Sequence, residues 1–141
     1  MTMSMDTDAN KDVVRSFVAA WNDRDFERFD RVMADGATLR VGGMTVACDP
    51  KGTRAIATEW TTAFPDWRFE VRALIAEGDL VAAHLPYRGT FQLPIAGIAP
   101  TGRHAEVDEM VIFRVADGRI VEAWEVYDEA GMWRQLGVAK S

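Results

Sequence analysis

Apolar residues along this chain follow one period and then another. Val13, Val14, Phe17, Val18 and Trp21 recur at helical spacing, and Asp8 or Thr7 can accept from the exposed first-turn amides, so residues 8–22 read as a first helix. A second, shorter helix carries Phe26, Phe29, Val32 and Met33, with Gly36 closing it. Residues 38–41 and 44–47 form a small hairpin around Gly42-Gly43. A third helix then sets Ile56, Trp60 and Phe64 one turn apart, with Pro65 just past its end. From there the period becomes two. Trp67, Phe69, Val71, Ala73 and Ile75 alternate with Arg68, Glu70, Arg72 and Leu74, and Gly78-Asp79 turns the chain back into a strand over 80–87. A Pro- and Gly-rich connection over 93–102 leads to a long strand, 103–115, then to a hairpin and a short final turn over 129–136. Helices followed by a meander of four long antiparallel strands predict an α+β domain with three N-terminal helices on one face of a curved sheet.

The hairpin over 113–137 is the most informative segment because its strands carry carboxylates. A two-residue turn at Asp117-Gly118 would set Phe113 opposite Glu122 and Met110 opposite Glu125. A three-residue loop of Asp117, Gly118 and Arg119, with glycine left-handed, sets Arg114 opposite Glu122, Ile112 opposite Trp124 and Val111 opposite Glu125. Opposite charges and aromatic with β-branched residues are the favoured cross-strand matches, each worth roughly 0.2–1 kcal/mol, so the second register is expected. It gathers Glu109, Val111, Phe113, Val121, Ala123, Glu125 and Tyr127 on one face and leaves Glu125 among apolar neighbours. The opposite face carries Met110, Ile112, Trp124 and Val126 and is apolar too. Helices cover only one face, so the other is expected to meet a second copy of the chain.

Composition narrows the function. A chain of 141 residues with 48% hydrophobic content fits one domain, expected over 10–141 behind a flexible segment 1–9. Sixteen basic against twenty-two acidic side chains give a net charge of −6 with no basic cluster, which argues against nucleic acid and against anionic membranes as partners. Cys48 has no partner for an internal disulfide, and with only His84 and His104 beside it there is no set with metal-ligand spacing, so neither metal nor cofactor is expected. The start of the chain lacks the pattern of a signal peptide and no apolar run reaches membrane-spanning length; a cytoplasmic protein is the expectation.

Gly97-Ile98-Ala99-Pro100-Thr101-Gly102-Arg103, the run from Phe113 to Glu122, Trp124, Asp128 and Arg134-Gln135-Leu136-Gly137 resemble the SnoaL-like polyketide cyclases of the nuclear transport factor 2-like superfamily over about 21–137. The resemblance implies a cone-shaped curved antiparallel or mixed sheet with the three helices on its concave face, a dimer, and an active site inside the cone. It also implies a general acid/base on the last strand, three residues before the aspartate matched by Asp128, which is Glu125. Three positions depart from the cyclase pattern. Val111 stands where those cyclases carry a pocket histidine, and Glu109 where they carry an amide; a polar residue of their first strand falls near Leu39. The epoxide hydrolases of similar fold would need polar groups where Leu85, Tyr87, Leu39 and Val41 stand.

The candidate catalytic residues are Glu125, Glu109 and Tyr87. A carboxyl in an apolar cavity is pushed toward neutrality, where it can exchange protons. Glu109 lies diagonal to it at ~7–8 Å across the strands, close enough for coupled titration, and the phenol of Tyr87 can donate to a developing enolate. Trp21, Trp60, Phe64, Val111, Phe113, Leu85 and Leu39 are expected to line the cavity around a small apolar molecule. His84 is expected on the outer face, His104 at the surface, Asp128 as a helix cap and Asn22 at the end of the first helix; Cys48 is given no role. The expected activity is cofactor-free cyclisation or enolisation of a largely apolar carbonyl compound. A non-catalytic ligand-binding or dimerisation module, and a ketosteroid-isomerase-like isomerase or a hydrolase, are the alternatives.

Overall fold

The computed structural model describes residues 6–139. Helix α1 spans Thr7–Asp23 and is capped by Asp6, whose carboxylate accepts from the amide of Ala9, one residue before the expected cap. The expected flexible segment 1–9 therefore already contributes Thr7, Asp8 and Ala9 to a helix; residues 1–5 lie outside the described residues. A single 3-10 turn, Phe26–Arg28, leads into a four-residue helix α2, Phe29–Val32. Met33 is not helical and Gly36 closes nothing. Both belong to strand β1, Met33–Val41, because Met33 pairs with Ile120 and its backbone is already extended. Strand β2, Met44–Ala47, completes the expected hairpin, and helix α3, Pro50–Ala63, starts from an Asp49 cap with proline in its first turn.

Each of the three long strands expected after α3 is broken once. The segment 67–75 becomes β3, Arg68–Phe69, and β4, Ala73–Glu77; 80–87 becomes β5, Leu80–His84, and β6, Tyr87–Thr90; 103–115 becomes β7, His104–Val107, and β8, Glu109–Ala116. Strand β9, Arg119–Tyr127, and helix α4, Glu129–Gln135, follow. One sheet runs β2-β1-β9-β8-β5-β4 and the other β3-β6-β7. Backbone hydrogen bonds continue across the breaks, from Glu70 to Pro86, Arg72 to His84 and Leu85 to Glu109, so the two sheets form one surface folded along a line. The break before β4 inverts the side-chain parity there. Leu74 and Ala76 pack on the core, whereas Ile75, expected inward, is 70% exposed. Because β1 runs parallel to β9, the larger sheet is mixed rather than a pure meander.

The β8–β9 register is the expected one, with Arg114 opposite Glu122, Ile112 opposite Trp124 and Val111 opposite Glu125. The turn that produces it differs. Asp117 and Gly118 form a tight two-residue turn, both with positive φ (52° and 75°), and the extra residue is taken up as a bulge, since Val115 pairs with Ile120 while Arg114 pairs with Glu122. Ile120 rather than Val121 is therefore buried. β8 alternates buried and exposed positions along almost its whole length, with Glu109, Val111, Phe113 and Val115 inward.

Two residues at the end of α1 tie the helix layer to the folded sheet. Asn22 does not simply end the helix; its side chain accepts from the amide of Phe69 (2.8 Å) and donates to the same residue's carbonyl (2.9 Å), pairing with the backbone of β3. Arg24, at φ 58°, donates to the carbonyls of Trp21 (2.7 Å), Asn22 (3.3 Å), Pro65 (3.0 Å) and Trp67 (2.8 Å), joining the end of α1 to the loop after α3. Hydrogen bonds from a charged donor stabilise by roughly 1.5–3 kcal/mol each when isolated, less when shared among several acceptors on one part-exposed group. Arg24→Met keeps the stem and the backbone strain, and is expected to lower stability by about 2 kcal/mol, read as a shift of the urea midpoint at constant slope.

Candidate active site

Inside the cone lies a cavity of about 340 Å³. Its walls are apolar: Phe17, Val18 and Trp21 come from α1, Ile56 and Trp60 from α3, Leu39, Val41 and Val46 from the β1–β2 hairpin, and Leu85, Val111, Phe113 and Ala123 from the sheet. The aromatic side is assembled around Trp67, which stacks on Tyr87 at 4.5 Å and on Trp21 at 6.1 Å and meets Trp60 at 5.6 Å. Phe69 and Phe64 pack edge-on against it. The structure brings six of the seven expected wall residues to the cavity: Trp21, Trp60, Val111, Phe113, Leu85 and Leu39. Phe64 is the correction. It caps α3 rather than continuing it, turns away from the cavity, and is buried in the core between Trp60 (5.7 Å) and Phe91 (5.1 Å).

Polar groups gather at one place on the sheet. Alternation along β8 and β9 aims Glu109 and Glu125 into the cavity from diagonal positions, since Glu109 pairs with Tyr127 and Val111 with Glu125. Glu109 is 6% exposed and Glu125 half-buried. Burial, then the charge of Glu125 and a hydrogen bond to it, hold the Glu109 carboxyl well above the ordinary value. Burial also raises Glu125, while the bond from Glu109 acts the other way. The two acids therefore titrate as a pair, and the proton they retain belongs to both. Among the described residues Glu125 has no ion pair, and open volume lies beside both acids.

Tyr87 and Tyr127 flank the pair, their rings 6.4 Å apart. Burial and the neighbouring carboxylates raise both phenols, so both are neutral donors. The Tyr87 hydroxyl is not free in the cavity as expected; it donates to Met132 Sδ on α4 at 3.3 Å. That of Tyr127 is bonded to Glu129 in the first turn of α4. α4 is thus fastened to both tyrosines, and Asp128 caps it by accepting from Gly131, as expected.

Several wall residues were not foreseen from sequence. Cys48, Thr53, Phe17, Ile56 and Val46 all reach the cavity, and Tyr127 does so from the face it was expected to share with Glu125. Cys48 Sγ lies 3.6 Å from Thr53 Oγ1, and burial raises its thiol, with Glu125 and Asp49 adding to the rise against the Thr53 bond. The signal for Cys48 and Val46 is the hairpin itself: Val46 pairs with Leu39, and the Cys48 amide bonds the Ala37 carbonyl, which continues the inward face. The histidines lie elsewhere, as expected. His84 is on the outer face with Nε2 2.9 Å from Asp108, and His104 is at the surface, bonded to Thr90 at 3.0 Å.

A family model described as SnoaL-like polyketide cyclase matches residues 11–136. Among solved structures, IdmH of Streptomyces antibioticus, a proposed polyketide cyclase, is 31% identical over 92% of this chain and 99% of its own, with a TM-score of 0.79. TsrD of Streptomyces laurentii is 27% identical over 96% of this chain and 100% of its own, with a TM-score of 0.85. AclR of Streptomyces galilaeus, a proposed hydroxylase, is 26% identical over 93% and 97%, with a TM-score of 0.82. No curated protein matches the chain. No helix among the described residues is long and apolar enough to cross a membrane. With a cone enclosing an acid pair and a family model matched over nearly its whole length, the chain belongs to the SnoaL-like polyketide cyclases.

Proposed function

We propose that the protein performs cofactor-free acid/base chemistry, a cyclisation or enolisation, on a small, largely apolar carbonyl compound held in the cone. The observation that carries this reading is that the β8–β9 register brings two poorly solvated carboxyls, Glu109 and Glu125, to one end of an otherwise apolar cavity. Glu125, ionised and poorly solvated, takes the proton from the carbon next to the carbonyl. Once protonated, Glu125 is a weaker acceptor than the developing enolate oxygen, so the proton of Glu109 turns to that oxygen, with Tyr87 assisting. In a cyclisation the enolate carbon then closes on a second carbonyl of the same molecule, and the new alkoxide takes a proton from the pair. The open volume beside Glu125, which no arginine holds among the described residues, favours this reading over a dimerisation module with a filled interior.

2-Tetralone, a bicyclic ketone that fits aromatic walls, is a direct probe. The protein is expected to speed exchange of its α-hydrogens for deuterium in heavy water, followed by NMR, and Glu125→Gln to lose about 10²–10⁴ of that acceleration. A wild-type rate no faster than buffer, or a Glu125→Gln variant as fast as wild type, would overturn the reading.

The raised carboxyls also make stability depend on pH. With folded-state values above unfolded ones, the folded protein holds protons that the unfolded chain releases. The contribution of the pair is fullest below the ordinary glutamate value, about 4.3, and falls as pH rises toward the raised values, by up to about 1.4 kcal/mol per pH unit for each proton. Glu109→Gln stays neutral and can still donate through its amide. It is expected to flatten this fall, measured as urea midpoints from about pH 5 to about pH 9.

The outer sheet face supports a second part of the proposal, a homodimer. Met110, Ile112, Val126 and Ile75 stand exposed there beside Trp124, an apolar patch on a face without helices. Light scattering coupled to gel filtration is expected to show a dimer for the wild type and a monomer for Ile112→Glu; a monomeric wild type would refute it.

A further inference from the structure

Three hydrogen-bond donors stand at the polar end of the cavity, and in the resting protein each is committed to a protein acceptor. Glu109 shares its proton with Glu125, Tyr127 is bonded to the Glu129 carboxylate, and Tyr87 donates to the thioether of Met132 at 3.3 Å. These acceptors are unequal. A carboxylate forms charge-assisted bonds about twice as strong as neutral ones, whereas a thioether sulfur is a weak acceptor. A ligand oxygen entering the cavity competes with both kinds, and only the sulfur is easily displaced. The exchange also requires little movement. Tyr87 already forms part of the cavity wall and its ring is held by the stack on Trp67, so turning the hydroxyl about its C–O bond redirects the proton while the ring stays in place.

We infer that Met132 is a specificity-determining residue: its sulfur holds the Tyr87 proton in the empty site and yields it to an oxygen of the ligand, making Tyr87 the donor that selects oxygen-bearing ligands over hydrocarbons of the same shape. Met132 does not line the cavity and touches no ligand itself; it acts through Tyr87. It is fully buried, and the N-terminal cap of α4 by Asp128 fixes the turn that presents it. The inference rests on the proposed use of Tyr87 as a donor to a carbonyl or enolate oxygen, and it extends that use to the residue controlling the donor.

The test compares binding of 2-naphthol and naphthalene by equilibrium dialysis, and reads the ratio of the two affinities rather than either alone. The ratio cancels a general loss of packing, which weakens both ligands alike. The wild type is expected to prefer 2-naphthol. Met132→Leu keeps nearly the same volume and removes the competing acceptor, so the preference is expected to grow by about three- to tenfold, the worth of one modest hydrogen bond. Met132→Gln supplies a stronger competitor and is expected to shrink it, and Tyr87→Phe to abolish it in either background. A ratio unchanged by Met132→Leu, or a preference that survives Tyr87→Phe, would overturn the inference. Because the readout is binding, failure here leaves the exchange of 2-tetralone by Glu125 standing, and failure of that exchange leaves this result intact.

Discussion

Antiparallel pairing between β8 and β9 decides what the hollow of this protein contains, because a strand's side chains alternate and a slip of one residue would send every inward group out. In the register adopted, two glutamates reach the same end of the cavity from diagonal positions. Like charges so placed and so poorly solvated cannot both ionise easily. They settle the conflict by sharing a proton, and the shared proton gives the interior a donor and an acceptor at one spot. The register in turn depends on a tight Asp117-Gly118 turn and one bulged residue near Val121. A feature at the far end of the hairpin thus sets the chemistry of the cavity.

Everything around the acids serves to keep them in that state. The wall is apolar from four directions, so water has few partners with which to solvate a second charge. Its aromatic side is a linked set of rings, with Trp67 stacked on Tyr87 and Trp21 and reached by Trp60. Side chains of this size and rigidity give the cavity a stiff aromatic wall. α4 then closes the polar end by bonding both tyrosines, and Asn22 and Arg24 hold the helix layer against the loop and strand that carry Trp67 and Phe69.

Local pattern made much of this legible. Periodicity located α1 and α3, the β1–β2 hairpin and the final hairpin, and cross-strand matching of Arg114 with Glu122 and Ile112 with Trp124 was enough to aim Glu109 and Glu125 inward. What escaped the sequence was non-local. Met33 carries an apolar side chain in helical spacing with Val32 and Phe29, yet it is drawn into a strand by Ile120, nearly ninety residues away. The break between Phe69 and Ala73 leaves no proline or glycine to mark it, and the parity inversion it causes put Ile75 on the wrong face. Phe64 shares a helical stripe with Trp60, but the helix ends one residue earlier and the ring goes to the core. Cys48 follows a strand too short to read as part of the cavity wall, and the acceptor for Tyr87 lies on a helix forty-five residues away.

The line of breaks through 70–72, 85–86 and Asp108 acts like the fold in a sheet of paper, and it sets the girth of the cone. On the strands from β5 to β6 and from β7 to β8 the inward parity survives the fold: Val81, Ala83, Leu85 and Tyr87 all face in, as do Ala105, Val107, Glu109 and Val111. Sliding that crease by two residues along these strands would leave the same side chains pointing inward while widening or narrowing the chamber. The architecture therefore separates the size of the guest from the identity of the groups that meet it, and one lineage of cones can be retailored to new molecules without relocating its acids.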